Sequence, residues 1–218
     1  MLEKALSPLF DLLTSEDGPC WIDKFGGLAR TVVHPECNLY DGATKIKRYP
    51  ITCNQSVDCF SSGDYENLVP NCNYKSLVYF HQLGMRVSNG DKSSMKHVKK
   101  ITQQVRMVIW LNLDQLGVDM CNPMEMYYLD LTKHIDCRKW PSTQNGVGLI
   151  TTNIVAYNSW EDTINKVFRQ YNYGDKYQLF LNPYDIGSID IEVCYHVDSN
   201  CVEDIICGDP IPCKRFDI

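Results

Sequence analysis

Two stretches decide the fold. The first is Ser76-Leu-Val-Tyr-Phe-His-Gln-Leu-Gly-Met-Arg-Val-Ser88, rich in strand formers. The second is Val98 to Leu113, in which Val105, Met107, Ile109 and Leu111 alternate with Arg106, Val108 and Trp110. Between them comes Asn89-Gly90-Asp91-Lys92-Ser93-Ser94, a turn opened by Asn-Gly. The reading is a long β-hairpin. Both faces of its return strand turn apolar toward Leu113, so that end is expected to be central and covered on both sides. The loop end is expected to project outward.

Working outward, residues 1 to 15 read as an amphipathic helix. Leu2, Leu6, Leu9 and Leu13 fall on one face, and Ser7-Pro8 suggests a restart or kink. From Trp21 to Asn73 the chain is punctuated. Gly26-Gly27 marks a tight turn, while Ala29 to His34 and Ile46 to Thr52 read as short strands, the second held to an edge or bulge by Pro50. The polar, turn-rich run Asn54 to Asn73 reads as an interaction loop. Beyond the hairpin, Pro123 to Leu129 reads as a short helix with Asn122 as N-cap, and Lys139 to Gly148 as loop. Ser159 caps a further helix with the apolar stripe Trp160, Ile164, Val167, Phe168 and Tyr171, closed by Gly174. Strands are expected at Tyr177 to Leu181 and Ser188 to Val197, joined by a turn at 182–187.

The expected class is therefore α+β: a mainly antiparallel sheet with a long β-hairpin, and helices packed on one face. Residues 1–198 would form a single α+β domain with inserted loops near 53–73 and 114–150. Residues 199–218 would form an extended, Cys-containing tail.

Composition narrows the function classes. With 44% hydrophobic and 22% charged residues in 218, the chain can bury a core without a metal or disulfide to hold it. The net charge of −6 disfavours a phosphate-backbone binder, which needs clustered Lys and Arg. Of the two basic runs, Lys45-Ile46-Lys47-Arg48 and Lys92 to Lys100, the second holds Lys92, Lys96, Lys99 and Lys100. It reads first as a solvated hairpin loop, and otherwise as a nucleic-acid patch or a contact with an acidic neighbour. Met1 to Leu6 mixes acid with base and lacks a signal-type apolar run. No window approaches a membrane span, so the expectation is no membrane association and a chain that stays where it is made or leaves inside something larger.

Eleven cysteines cannot all pair within one chain, and a reducing compartment with free thiols is the default expectation. There is no Cys-x2-Cys. Cys194, Cys201, Cys207 and Cys213 are spaced by seven, six and six, which fits no recurring zinc module. The five histidines form neither His-x3-His nor His-Glu-x-x-His, and no nucleophile elbow, phosphate-binding loop or dinucleotide fingerprint occurs. Asp114, Asp119, Glu125, Asp130 and Asp136 are scattered carboxylates that read as acidic surface. The segment from Asp198 to Asp204 shares only composition with a calcium loop. No catalytic residue, cofactor or metal is assigned.

The order of elements carries one resemblance. An N-terminal helix, short strands, a long hairpin with a basic loop, a helix opened by Ser159-Trp160-Glu161-Asp162 and a final strand pair look like the small α+β subunits at the head–tail junction of tailed bacteriophages. These are the tail-completion, tail-terminator and connector-ring proteins. The wording of Val105 to Leu113 and of Ile154 to Tyr171 is similar to proteins of gut Bacteroidetes phages, including the crAss-like group. The resemblance spans residues 1–197; the segments near 53–73 and 114–150 and the many cysteines depart from it. It implies a closed homo-oligomeric ring, made in the bacterial host cytoplasm and incorporated into the virion. It also implies neighbouring portal, ring or tail proteins, and DNA that passes through the channel without specific binding. The expected protein contacts are Asn89, Gly90, Lys92, Lys96, Lys99 and Lys100 at the hairpin tip, and Cys201, Cys207 and Cys213 in the tail. The competing readings are a metal-stabilised cytosolic module built on the C-terminal cysteines, a hydrolase using carboxylates between Asp114 and Asp136, and a host cytosolic adaptor.

Overall fold

The structure, a computed structural model, describes residues 2–35, 46–52, 68–89, 98–118, 123–140, 147–171 and 178–198. Its elements are α1 (Leu2–Thr14), β1 (Lys24–Pro35), β2 (Ile46–Thr52), β3 (Ser76–Asn89), β4 (Val98–Asn112), α2 (Leu113–Leu116), α3 (Pro123–Ile135), β5 (Arg138–Trp140), β6 (Val147–Asn158), α4 (Trp160–Lys166) and β7 (Tyr184–Asp198). Among the described residues the strands form one sheet in the order β2-β1-β3-β4-β7-β6-β5. Every neighbouring pair is antiparallel except β1 with β3. The class is α+β, as the sequence indicates.

The hairpin is the centre of the sheet. β3 and β4 pair from Ser76–Leu111 to Asn89–Lys99. The strand alternation divides their side chains between two cores. Val78, Phe80, Met107, Ile109, Ile189 and Ile191 join α1 and α3 on one face, where Leu6, Leu9, Leu13, Leu131 and Ile135 are buried. Leu77, Tyr79, Val108, Trp110 and Ile186 join Val167, Phe168 and Tyr171 on the other. The helices therefore do not all pack on one face. α4 and the 3-10 turn at Phe168–Gln170 cover the second face, because Trp110 and Tyr79 leave a large apolar surface there. Trp110 stacks on Tyr184 with centroids 5.2 Å apart and donates its indole N–H to the Leu179 carbonyl at 2.6 Å.

Several local expectations are corrected. Gly26-Gly27 is a bulge inside β1 and not a turn: the register with β3 shifts between Phe25 and Leu28, and Gly27 has φ +61°. A Cβ at Gly26 would overlap Leu68, so the strand needs glycine for close approach. α1 runs through Pro8 as a single helix. The expected strand at 177–181 is a 3-10 turn over residues 178–180, whose Leu179 and Phe180 pack against the second core and not into the sheet. β7 begins at Tyr184 and so absorbs most of the expected turn. Ser159 does cap α4, its hydroxyl accepting from the Asp162 N–H at 3.3 Å, but that helix ends at Lys166, before the position where Gly174 was expected to close it. Residues 114–150 hold α3, β5 and the start of β6, so they are largely part of the sheet and its cover. Asn122, Gly174, residues 53–67 and the tail beyond Asp198 lie outside the described residues.

α3 also shields the sheet edge at β6. The Asp136 carboxylate accepts from the Ile154 N–H at 2.9 Å, and the Tyr128 hydroxyl donates to the Asn158 carbonyl at 2.6 Å. Side chains thus satisfy backbone groups that another strand would otherwise pair with. Gly187 permits this arrangement, since a Cβ there would overlap the Tyr128 hydroxyl and the Met124 side chain. The hydroxyl cannot swing aside without losing Asn158. Gly187→Ala is accordingly expected to destabilise the fold by about 1–3 kcal/mol, as overpacked cores do. Urea unfolding checks it, and adding Tyr128→Phe should recover part of the loss.

Candidate interaction surfaces

The outer half of the hairpin is built differently from its buried half. Val105 through Asn112 are buried, whereas Gln82 through Val87 are exposed. The loop end that was expected to project, residues 90–97, lies outside the described residues, and the strands leading to it are flanked. β7 runs beside β4 as far as Val98–Asp198, so among the described residues the unpaired edge here is that of β3. β1 pairs with β3 no further than Ala29–His81, and among the described residues no strand pairs with the outer side of β3 beyond that point. A register shift between Gln82 and Gly84 then sets Met85 and Val87 opposite Gln103 and Ile101. Leu83, Met85 and Val87 are 45%, 57% and 59% exposed. Three large apolar side chains at alternate positions of an open strand form a row, not scattered surface residues.

Of the expected contact residues, Asn89, Lys99 and Lys100 lie in these strands, with Asn89 paired to Lys99 in register and Lys100 exposed. Gly90, Lys92, Lys96, Cys201, Cys207 and Cys213 lie outside the described residues. The sequence reading set its contact residues at the hairpin loop and in the tail, and did not single out Leu83, Met85 and Val87. The signal was the run Leu83-Gly-Met-Arg-Val87, where apolar residues continue past the buried segment.

A second surface is a cleft of about 320 Å³ lined by Trp21, Val118, Pro123, Met126, Tyr127, Asp130 and Lys133. It lies between α3 and the segment leading into β1. Trp21 meets Tyr127 edge-on with centroids 4.8 Å apart and donates its indole N–H to Asp130 at 3.0 Å. Lys133 approaches the other Asp130 oxygen at 3.5 Å. Burial, and secondarily the nearby Cys20, raises the Tyr127 hydroxyl above its usual range. Met126 is half exposed and Leu129 on the same helix is 67% exposed.

The third feature is a polar row across the middle of the sheet, on the face covered by Tyr171. His81, Arg106 and Asp190 are register partners on β3, β4 and β7. Arg106 grips Asp190 with two hydrogen bonds of 2.6 and 2.8 Å, and Asn158 adds a third at 3.2 Å. The Tyr171 hydroxyl lies 2.6 Å from His81 Nε2. Burial, helped by the Arg106 charge, lowers His81 to about 4, so it is neutral at ordinary pH. Burial also pushes Tyr171 up to about 12. This row is internal, with both His81 and Arg106 buried.

Among the described residues, the carboxylates between Asp114 and Asp136 have separate surroundings. Asp114 is exposed, Asp130 is held by Trp21 and Lys133, and Asp136 caps the β6 edge; Asp119 lies outside the described residues. Among the described residues no three of His, Cys, Asp and Glu gather as a metal site; Cys20, Cys72 and Cys137 are exposed thiols, and Cys194 is half-buried on β7. No described helix is long and apolar enough to cross a membrane. No protein-family model matches the chain, and no curated protein is recognisably similar to it.

Proposed function

We propose that the chain is a structural subunit of a closed ring at the head–tail junction of a tailed phage, made in the bacterial cytoplasm and carried in the virion. Its work on this reading is to bridge copies of itself and the neighbouring portal or tail proteins around the DNA channel. One observation carries it: the exposed row Leu83, Met85 and Val87 on the open side of β3, set among basic residues at the far end of the central strands. Exposed apolar residues arranged in a row mark association surfaces. A ring requires such a surface on every copy, matched by a different surface on the next. The overall −6 charge suits a channel that lets DNA slide, since like charges repel.

Electron microscopy of the purified chain, negatively stained at micromolar concentration, tests this. Closed rings of constant copy number are the expected result, with weak duplex-DNA binding. A field of single 25 kDa particles at every concentration, with or without candidate neighbours, would sink the reading.

A further inference from the structure

We infer that the cleft beside α3 is the socket for the outer end of β3 of a second copy, with Met85 and Val87 as the inserted side chains. The inference rests on the ring reading above and adds to it which two surfaces meet. Charge is the first argument. Over residues 83–104 five basic residues against Asp91 give +4, and the chain total of −6 leaves −10 for the rest. By sequence this stretch is cationic and carries the apolar row Leu83, Met85 and Val87, while the rest of the chain is acidic, and two such stretches repel each other. The cleft lies on that acidic remainder: its walls are apolar, from Trp21, Val118, Pro123 and Met126, its lining charges Asp130 and Lys133 offset each other, and Glu125 is exposed on the same helix outside the lining. Lys133 is already paired with Asp130.

Size points the same way. At about 320 Å³ the cleft sits at the bottom of the range for small-molecule pockets, roughly 300–1,000 Å³. That suits one or two side chains, and the unbranched thioether of methionine adapts well to such a site.

Geometry forbids the contact within one chain. Trp21 is fixed at the Ser76 end of β3, its carbonyl accepting from the Ser76 hydroxyl at 2.7 Å. The start of α3 is fixed at that same end, because the Asp185 carboxylate accepts from the Met124 N–H, and Asp185 and Ser76 both pair with Leu111. Val87 lies eleven residues further along β3, roughly 35 Å away at about 3.4 Å per residue. Plug and socket therefore belong to opposite ends of the molecule. Joining them between copies is head-to-tail, the geometry that closes into rings.

The test uses the full-length chain in two variants, both at exposed positions: M85E/V87E for the plug and M126E for the socket. Circular dichroism confirms that each is folded, and light scattering reads the mass. The expected result is that each variant alone drops to a monomer, while an equimolar mixture recovers a dimer and nothing larger, since only one intact plug–socket pair remains. If M126E assembles like wild type, the plug docks elsewhere and the inference is overturned, although the ring reading survives. A mixture that stays monomeric overturns it equally. Wild-type chain that never assembles defeats the ring reading itself.

Discussion

Asp190→Ala is expected to cost about 3–5 kcal/mol, the usual penalty for stranding one member of a buried ion pair. The Arg106 side chain is 9% exposed, and its guanidinium makes both short hydrogen bonds to the Asp190 carboxylate. Alanine leaves that charge in the sheet centre with Asn158 unable to replace it, because the amide N–H₂ donates and has no acceptor to give in the direction it faces Asp190. Against a total stability of about 5–15 kcal/mol, this single change should bring the chain near its unfolding threshold. The pair itself need not stabilise the fold. Replacing both partners by apolar residues, as in Arg106→Met with Asp190→Leu, should restore much of the loss, since the desolvation cost disappears with the charges. Equal destabilisation of single and double variants in urea would show that the row is held by something other than this pair.

The second large effect is in pH. His81 is neutral in the fold down to about 4, against 6.5 when unfolded. Below 6.5 the unfolded chain takes up a proton that the folded chain refuses, so stability rises with pH through this window and is lost as pH falls. At about 1.4 kcal/mol per unit, the contribution lost between pH 7 and pH 4 comes to about 3 kcal/mol. Asp185 works in the opposite direction: burial raises its carboxyl, so its protonation favours the fold as the pH falls. His81→Gln separates the two, removing the histidine slope and leaving the Asp185 trend. Urea midpoints from pH 4 to pH 7 should fall steeply toward acid in wild type and flatten in the variant. Parallel curves for the two would mean that His81 is not the group responsible.

The hairpin and the first helix were legible because each has a simple period. Leu2, Leu6, Leu9 and Leu13 bury together at helical spacing, and Val105 to Leu111 divide between two cores at the period of a strand. β6 was missed although Ile150, Thr152 and Ile154 alternate, because its start lies in a loop-like run rich in Gly and polar residues. The apolar run at 177–181 misled in the other direction. Leu179 and Phe180 are apolar because they pack on Phe168 and under Trp110, a requirement that strands and turns share. The cleft could not be read at all. Trp21 and Asp130 are 109 residues apart and meet only once α3 is laid along the sheet. The apolar row on β3 was visible as residues, but its exposure depends on where β1 leaves β3, which no local pattern encodes.

The native mass of the purified wild-type chain, followed by light scattering over a hundredfold range of concentration, bears most directly on the assembly reading. The expected result is one discrete species several times 25.1 kDa, dissociating to monomer without stable intermediates of open length. A mass of one chain at every concentration would contradict it.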